Sequence, residues 1–263
     1  MGQYLGHLLA FVIGCAVGSF LNVIRWRLPR GESFVGGRSK CPSCKARIAW
    51  YDNIPVVSYI ILGGSCRSCG ARISLEYLIL ELTTGLAFVL IWVSYPPRET
   101  AAYCVFASLL IACAGIDYDL QIIPDKLTIP GTALGIAFSL TLLRGPALLN
   151  SLTHSLVGMA VGFGTLYAVV VLYRLIRKRE GMGEGDAKLM AMVGAFLGYK
   201  LALLTIFIAS VGGALVGIFI SRRSPEGMKA ALPFGVFLSP AALICLLWGQ
   251  DLIDAYIGLL RGQ

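Results

Sequence analysis

Asp117 and Asp186 are the residues of this chain best placed to do chemistry. Each lies at the edge of a strongly apolar run, Asp117 just after 101–116 and Asp186 just before 187–197, and Asp186 closes the element Gly183-Glu184-Gly185-Asp186. A carboxylate held against hydrocarbon costs about 2.5 to 3.5 kcal/mol at a helix centre on insertion scales, so an acid retained there points to function. A pair of them points to acid–base chemistry. Two carboxylates that share one water divide the work, one carrying a proton while the other is ionised. The ionised acid activates water for attack on a peptide carbonyl; the protonated one polarises that carbonyl and then protonates the departing amine. Glycine on either side of Glu184 removes side-chain bulk, so an extended substrate can approach Asp186 closely. Helix capping is the structural alternative for Asp186, and for Asp125, which directly follows Pro124. Asp119 reads as a solvated loop acid. The two histidines, His7 and His154, fall in runs facing the other side of the bundle, which leaves no base for a Ser-His or Cys-His nucleophile.

Four cysteines form the second chemical signal. Cys41-Pro42-Ser43-Cys44 and Cys66-Arg67-Ser68-Cys69 are paired C-x-x-C units, whose thiolates can close around one tetrahedral zinc ion. Four sulfur ligands leave no open coordination position, so the expected zinc is structural. Disulfides or idle thiols are the alternative, disfavoured by a basic segment expected in a reducing compartment. Cys15, Cys104, Cys113 and Cys245 lie within apolar runs and read as packing residues.

The elements that must position these groups follow from composition. The 263 residues are 57% hydrophobic with a mean hydropathy of +0.78. Runs at 4–26, 75–93, 101–116, 127–143, 152–172, 187–197, 201–220 and 232–248 approach or reach the roughly 20 helical residues that span a bilayer core. We expect an all-α polytopic membrane protein of about eight transmembrane helices with a small zinc-binding cytoplasmic domain. The expected division is a first transmembrane helix at 1–26, a cytoplasmic zinc-binding segment at 27–74 and a transmembrane bundle at 75–263. The first run is too long for a removable signal peptide. Run 187–197 is short, so a re-entrant half-helix is an alternative to a crossing. A short interfacial helix is expected at 251–262, and Gly212, Gly213 and Gly217 are assigned to close helix packing.

Charge orients the bundle. Of the 22 lysines and arginines, all but Arg98, Arg144, Lys200 and Arg261 fall in 25–74, 117–126, 174–188 and 221–229, which become the cytoplasmic loops if the N-terminus is outside. That bias accounts for the net charge of +8 without nucleic acid, and it requires 187–197 to cross, keeping Arg222, Arg223 and Lys229 inside. Asp117 and Asp186 then both lie at the cytoplasmic face.

At this point the residues resemble a known family. Gly18-Ser19-Phe20-Leu21-Asn22-Val23, Arg27-Leu28-Pro29, the two C-x-x-C units around Trp50-Tyr51-Asp52-Asn53-Ile54-Pro55, Glu81-Leu82-Thr83-Thr84-Gly85, Ile116-Asp117 through Ile123-Pro124-Asp125, Gly183-Glu184-Gly185-Asp186 and Leu232-Pro233-Phe234-Gly235 are similar, in this order, to the bacterial type IV prepilin peptidases. These are leader peptidase/N-methyltransferases of the GxGD aspartic protease class. The resemblance implies Asp117 and Asp186 as catalytic acids. It implies prepilins or type II secretion pseudopilins as substrates, cut after a leader glycine at the cytoplasmic face of the inner membrane. It also implies N-methylation of the new terminus with S-adenosylmethionine, for which no Rossmann-type glycine fingerprint is present. Glu81, Asn22, Asp52 and Asn53 are the candidates to bind that cofactor, with Gly18 and Arg27 nearby; a pairing of Glu81 with an arginine such as Arg72 is its structural alternative. The chain departs from the family at Gly37-Arg38-Ser39-Lys40, where Pro-Arg-Ser-Arg is common, and at Glu76-Tyr77-Leu78, where Arg-Tyr-Pro is common.

Two other classes compete. A transporter also carries intramembrane acids, but would hold them nearer the midplane, with an internal repeat that we do not read here. A non-enzymatic zinc-dependent assembly protein would tolerate loss of either aspartate. Within the family, a peptidase without methyltransferase activity is the remaining variant.

Overall fold

The computed structural model describes residues 2–33, 36, 39–141, 148–177, 183–221 and 233–261. Nine α-helices are found among them: α1 (Gly2–Arg27), α2 (Val57–Ile61), α3 (Leu75–Ser94), α4 (Pro97–Leu120), α5 (Asp125–Thr141), α6 (Leu148–Arg177), α7 (Glu184–Leu197), α8 (Tyr199–Ser221) and α9 (Gly235–Leu260). The described residues contain no strand, only the isolated bridges Lys40 to Arg47 and Ser65 to Arg72. The protein is an all-α polytopic membrane protein. Each of the eight apolar runs coincides with a helix, but six of those, α1, α3, α4, α6, α8 and α9, have the length and hydropathy of a crossing. The other two, α5 and α7, are the shorter pair of the eight among the described residues. With 17 residues in α5 and 14 in α7, these two rise about 25 and 21 Å, short of a roughly 30 Å hydrocarbon core. Nearly every residue of α7 from Asp186 to Leu197 is buried, and a helix enclosed by protein need not match the lipid. The basic residues Arg144, Lys178, Arg179, Arg222, Arg223 and Lys229, and the motif residues Gly37, Arg38 and Leu232, lie outside the described residues.

The chain divides into two compact units, Met1–Ala112 and Cys113–Gln263, with α4 running through the boundary. In the first unit α1 crosses α3 at Gly14 and Gly18, four residues apart. A β carbon on Gly14 would lie 2.8 Å from the Gly85 α carbon, and one on Gly18 would lie 2.8 Å from the Glu81 α carbon. This is small-residue packing between membrane helices, where van der Waals contact replaces the absent hydrophobic drive. It brings Asn22 and Glu81 into the same crossing.

The second unit repeats the device. Gly158 and Gly162 of α6 meet Gly194 and Met190 of α7 backbone to backbone, so closely that any β carbon on Gly158 or Gly194 would collide with the facing carbonyl. Ser155 Oγ donates to the Ala195 carbonyl at 2.8 Å within this seam, and Ser139 Oγ donates to the Ser151 carbonyl at 2.8 Å, tying α5 to α6. Interhelical hydrogen bonds in membranes average only about 0.6 kcal/mol, so the glycine seam carries more of the fixation of α7. We expect Gly158→Val to lower the detergent melting temperature sharply, and Ser155→Ala to lower it by no more than a few degrees. Gly212 and Gly213 pack less closely than expected from the sequence: a β carbon there meets the Phe237 ring at 3.9 and 3.7 Å, ordinary contact. The separate interfacial helix expected at 251–262 is not formed. With no proline between Trp248 and Leu260, α9 runs unbroken to Leu260, and Gln250 Nε2 bonds Asp254 Oδ1 one turn later at 3.1 Å.

Candidate active site

Asp117 lies in the last turn of α4 and is buried, 4% exposed. Behind it, Gln121 adopts a left-handed φ of 55° and returns its N–H to the Asp117 carbonyl at 2.9 Å, which stops α4 and turns the chain toward α5. The side chain of Asp117 faces the start of α9: the Val236 N–H donates to Oδ2 at 3.2 Å, with the Gly235 amide beside it. A helix N-terminus offers unpaired N–H groups and a partial positive charge, a favourable place for a carboxylate. Gly235 must be glycine, since a β carbon there would lie 2.8 Å from both Asp117 Oδ2 and Ile123 Cδ1.

Asp186 sits at the third residue of α7, after the N-cap residue Gly183, and is 7% exposed. It is therefore inside the first turn rather than the cap itself. Gly185 packs on Ile123, where a β carbon would lie 3.0 Å from the Ile123 β carbon. Ile123 is thus wedged between Gly185 and Gly235, and this one buried side chain locks the start of α7 and the start of α9 around the 121–124 turn. The result sets Asp117 and Asp186 at the same turn, since Gly185 beside Asp186 and Gly235 beside Asp117 both pack on Ile123. Asp125 is the first residue of α5, and both its oxygens accept from Lys188 Nζ at 2.8 Å. Asp119 is exposed. His154 lies within α6 over Gly198 and the Tyr199 ring.

In the first unit, Asn22 Nδ2 donates to the Tyr77 carbonyl at 3.2 Å, and Glu81 accepts from the Val56 N–H at 2.8 Å. No ion pair joins Glu81 to Arg72 among the described residues. Arg25 instead pairs with Glu76 at 2.6 Å, which gives the departure at position 76 a partner. Asp52 is held by a two-pronged bond from Arg67, Nε to Oδ2 at 2.8 Å and Nη2 to Oδ1 at 2.6 Å, and this hydrogen-bonded guanidinium keeps its carboxyl below the usual range. Asn53 is exposed at the end of the Trp50–Asn53 turn.

The four cysteines converge. All four Sγ atoms lie within 4.8 Å of one another, with Cys41 and Cys69 at 3.9 Å. A tetrahedral zinc with bonds of about 2.3 Å needs sulfurs about 3.8 Å apart, so the cage has the right size for the metal. Backbone N–H groups of Cys44 and then Ser43 hold the Cys41 thiol down at about 6, while Cys69 in the same cluster is pushed up to about 11. The two halves of the cage are copies. Cys41-Pro-Ser-Cys-Lys-Ala-Arg-Ile48 and Cys66-Arg-Ser-Cys-Gly-Ala-Arg-Ile73 have matching hydrogen bonds, Cys41 N–H to Ala46 at 2.9 Å and Cys66 N–H to Ala71 at 2.8 Å. Lys45 and Gly70 are both left-handed, with φ of 59° and 70°. The signal for this repeat is in the sequence itself, where Cys-x-Ser-Cys-x-Ala-Arg-Ile occurs twice. The roles of Val236 and Val56 had no sequence signal of their own, because their partners are remote in the chain, whereas Gly235 was marked by the Leu232-Pro233-Phe234-Gly235 motif.

Comparison with known proteins adds to this geometry. Residues 12–95 match the family model described as the bacterial peptidase A24 N-terminal domain, and residues 104–218 match that of the type IV leader peptidase family. A prepilin leader peptidase/N-methyltransferase of Pseudomonas putida is 35% identical over 96% of this chain and 94% of its own length. A protein of the same name from Pseudomonas aeruginosa is 35% identical over 95% of each chain, and one from Myxococcus xanthus is 40% identical over 82% of this chain and 64% of its own. No solved structure gives a significant match. With both halves matched by the family's models and the full-length relatives carrying one name, the chain belongs to the prepilin leader peptidase/N-methyltransferase family.

Proposed function

We propose that this protein cleaves the leader of type IV prepilins or pseudopilins after a glycine at the cytoplasmic face of the bacterial inner membrane, with Asp117 and Asp186 as the catalytic pair. The observation that carries this reading is that two buried carboxylates, 69 positions apart in the chain, are set around the one side chain of Ile123, Asp117 at the start of α9 and Asp186 at the start of α7. In the proposed reaction the ionised carboxylate takes a proton from a shared water as its oxygen attacks the glycyl carbonyl. The other carboxyl gives its proton to the carbonyl oxygen. Collapse of the tetrahedral diol breaks the C–N bond: the proton taken from water goes to the new amine, and one diol hydroxyl returns its proton to the second carboxylate, leaving the carboxyl product and the pair in its starting state. Val236 N–H, fixed by the start of α9, orients Asp117 for this. Gly235→Ala is expected to displace the Asp117 carboxylate and lower cleavage by about 10²-fold, the scale on which a 1 Å misplacement acts, with metal content unchanged. The leader hydrolysis rate and zinc analysis of one preparation check both halves of that expectation.

The positive charge of the loops supports the cytoplasmic placement. Cys41, Cys44, Cys66 and Cys69 are proposed to hold one structural zinc ion. The name shared by the relatives supports N-methylation of the new N-terminal residue as a second activity, with S-adenosylmethionine supplying the methyl group. Asn22, Glu81, Asp52 and Asn53 are proposed to lie around that reaction. Asn22, Glu81 and Asp52 are each held in place by a hydrogen bond within the protein, to the Tyr77 carbonyl, from the Val56 N–H and from Arg67. Incubating the purified protein with a prepilin and S-adenosylmethionine tests the whole reading. Loss of the leader with one added methyl group is the expected mass. Loss of the leader alone removes the second activity, and an unchanged substrate removes the first.

A further inference from the structure

The short helix α2 is built inside out. Ser58 is buried, its Oγ donating to the Tyr51 carbonyl at 2.8 Å and accepting from the Ile54 N–H at 3.0 Å, while Ile60 and Ile61 are 68% and 72% exposed, with Val57 and Ile54 exposed beside them. In water this arrangement is costly, whereas against acyl chains it is the favourable one.

The position of this surface is fixed by its tether. Val56, which precedes α2, adopts φ 64° and ψ −52°, a conformation that a β-branched residue rarely enters. It is held there by the buried carboxylate of Glu81, which accepts its N–H at 2.8 Å. Glu81 lies six residues into α3, about 9 Å along a helix that rises 1.5 Å per residue. The Arg25–Glu76 ion pair marks the polar level at the ends of α1 and α3, and the Glu81 clamp lies five residues deeper, about 7.5 Å toward the hydrocarbon. The chain between α1 and α3 thus leaves the membrane, forms the cysteine cage and dips back beside α3. Tyr59, on the inner side of α2, secures this return by donating its hydroxyl to the Ile73 carbonyl at 3.3 Å.

We propose that Ile54, Val57, Ile60 and Ile61 form a membrane-inserted wedge whose occupant is the acyl layer of the bilayer, making the cysteine-cage segment a lipid-anchored rather than a freely projecting domain. The depth of the tether and the outward apolar face select lipid; the wedge depends on the membrane reading of α1 and α3 and not on the catalytic assignment. The test uses the full-length protein in phospholipid nanodiscs, with the photoreactive residue p-benzoylphenylalanine replacing Ile60 in one preparation and Ser68, exposed in the cage, in another. After irradiation, the peptide carrying position 60 is expected to gain the mass of one phospholipid and the peptide carrying position 68 to gain none. Cross-linking of position 60 to a peptide from 113–261 would overturn the proposal by showing that the chain itself covers this face. Absence of any lipid adduct would overturn it by placing the face in water.

Discussion

Asparagine in place of Asp186, or of Asp117, is expected to abolish leader cleavage while leaving the protein folded and its metal content unchanged. The substitution is nearly isosteric. At 117 an asparagine Oδ1 still accepts the Val236 N–H, so the start of α9 keeps its partner. What is removed is the capacity to take or give a proton, worth about 10² to 10⁴ in rate for one acid–base group. Because the proposed reaction needs both acids at once, the double variant should be no slower than either single one, the non-additivity of groups that act as a unit. Leader release from a prepilin, followed by mass, together with a detergent melting curve, separates lost chemistry from lost structure. A single variant that cleaves at the wild-type rate would remove that residue from the pair.

The reach of the sequence follows the range of the interactions. Hydropathy over 20 residues is local, so every long apolar run matched a helix. C-x-x-C is local too, and its four sulfurs meet as the spacing required. The two aspartates were recognisable because an acid beside hydrocarbon is conspicuous alone. Their supports were not. Val236 reaches Asp117 across 119 positions, and Glu81 reaches Val56 across 25; in each case the donor is a backbone N–H, which every residue but proline has. The glycines show the same limit. Gly158 and Gly194 look no different in sequence from Gly212 and Gly213, yet only the first pair lies where two backbones touch. The enclosure of α7 was not legible either, because apolar composition does not reveal whether lipid or protein surrounds a helix.

Removing the metal is expected to loosen the cysteine-cage segment and end N-methylation, with leader cleavage retained. A structural zinc contributes apparent free energies of about 10 to 16 kcal/mol in small zinc-binding peptides, and a segment of this size, below or near 40 residues in its cage, has too little core to replace that. Without the ion, the two knuckles at Cys41 and Cys66 lose their common centre. The Arg67–Asp52 bond and the Val56–Glu81 tether depend on where those knuckles hold the intervening chain. Asn22, Glu81, Asp52 and Asn53 would then lose their arrangement together, although none is a metal ligand. Cleavage should survive, because Asp117, Asp186, Ile123, Gly185, Gly235 and Val236 all belong to the unit Cys113–Gln263 and none is a metal ligand. The experiment is Cys41→Ser with Cys44→Ser, read as zinc content, protease sensitivity between 39 and 73, and the mass of the processed substrate. A product that has lost its leader and carries no methyl group is the expected result. A fully methylated product from zinc-free protein would show that the cage is dispensable for the second activity, and an uncleaved one would show that it serves the first.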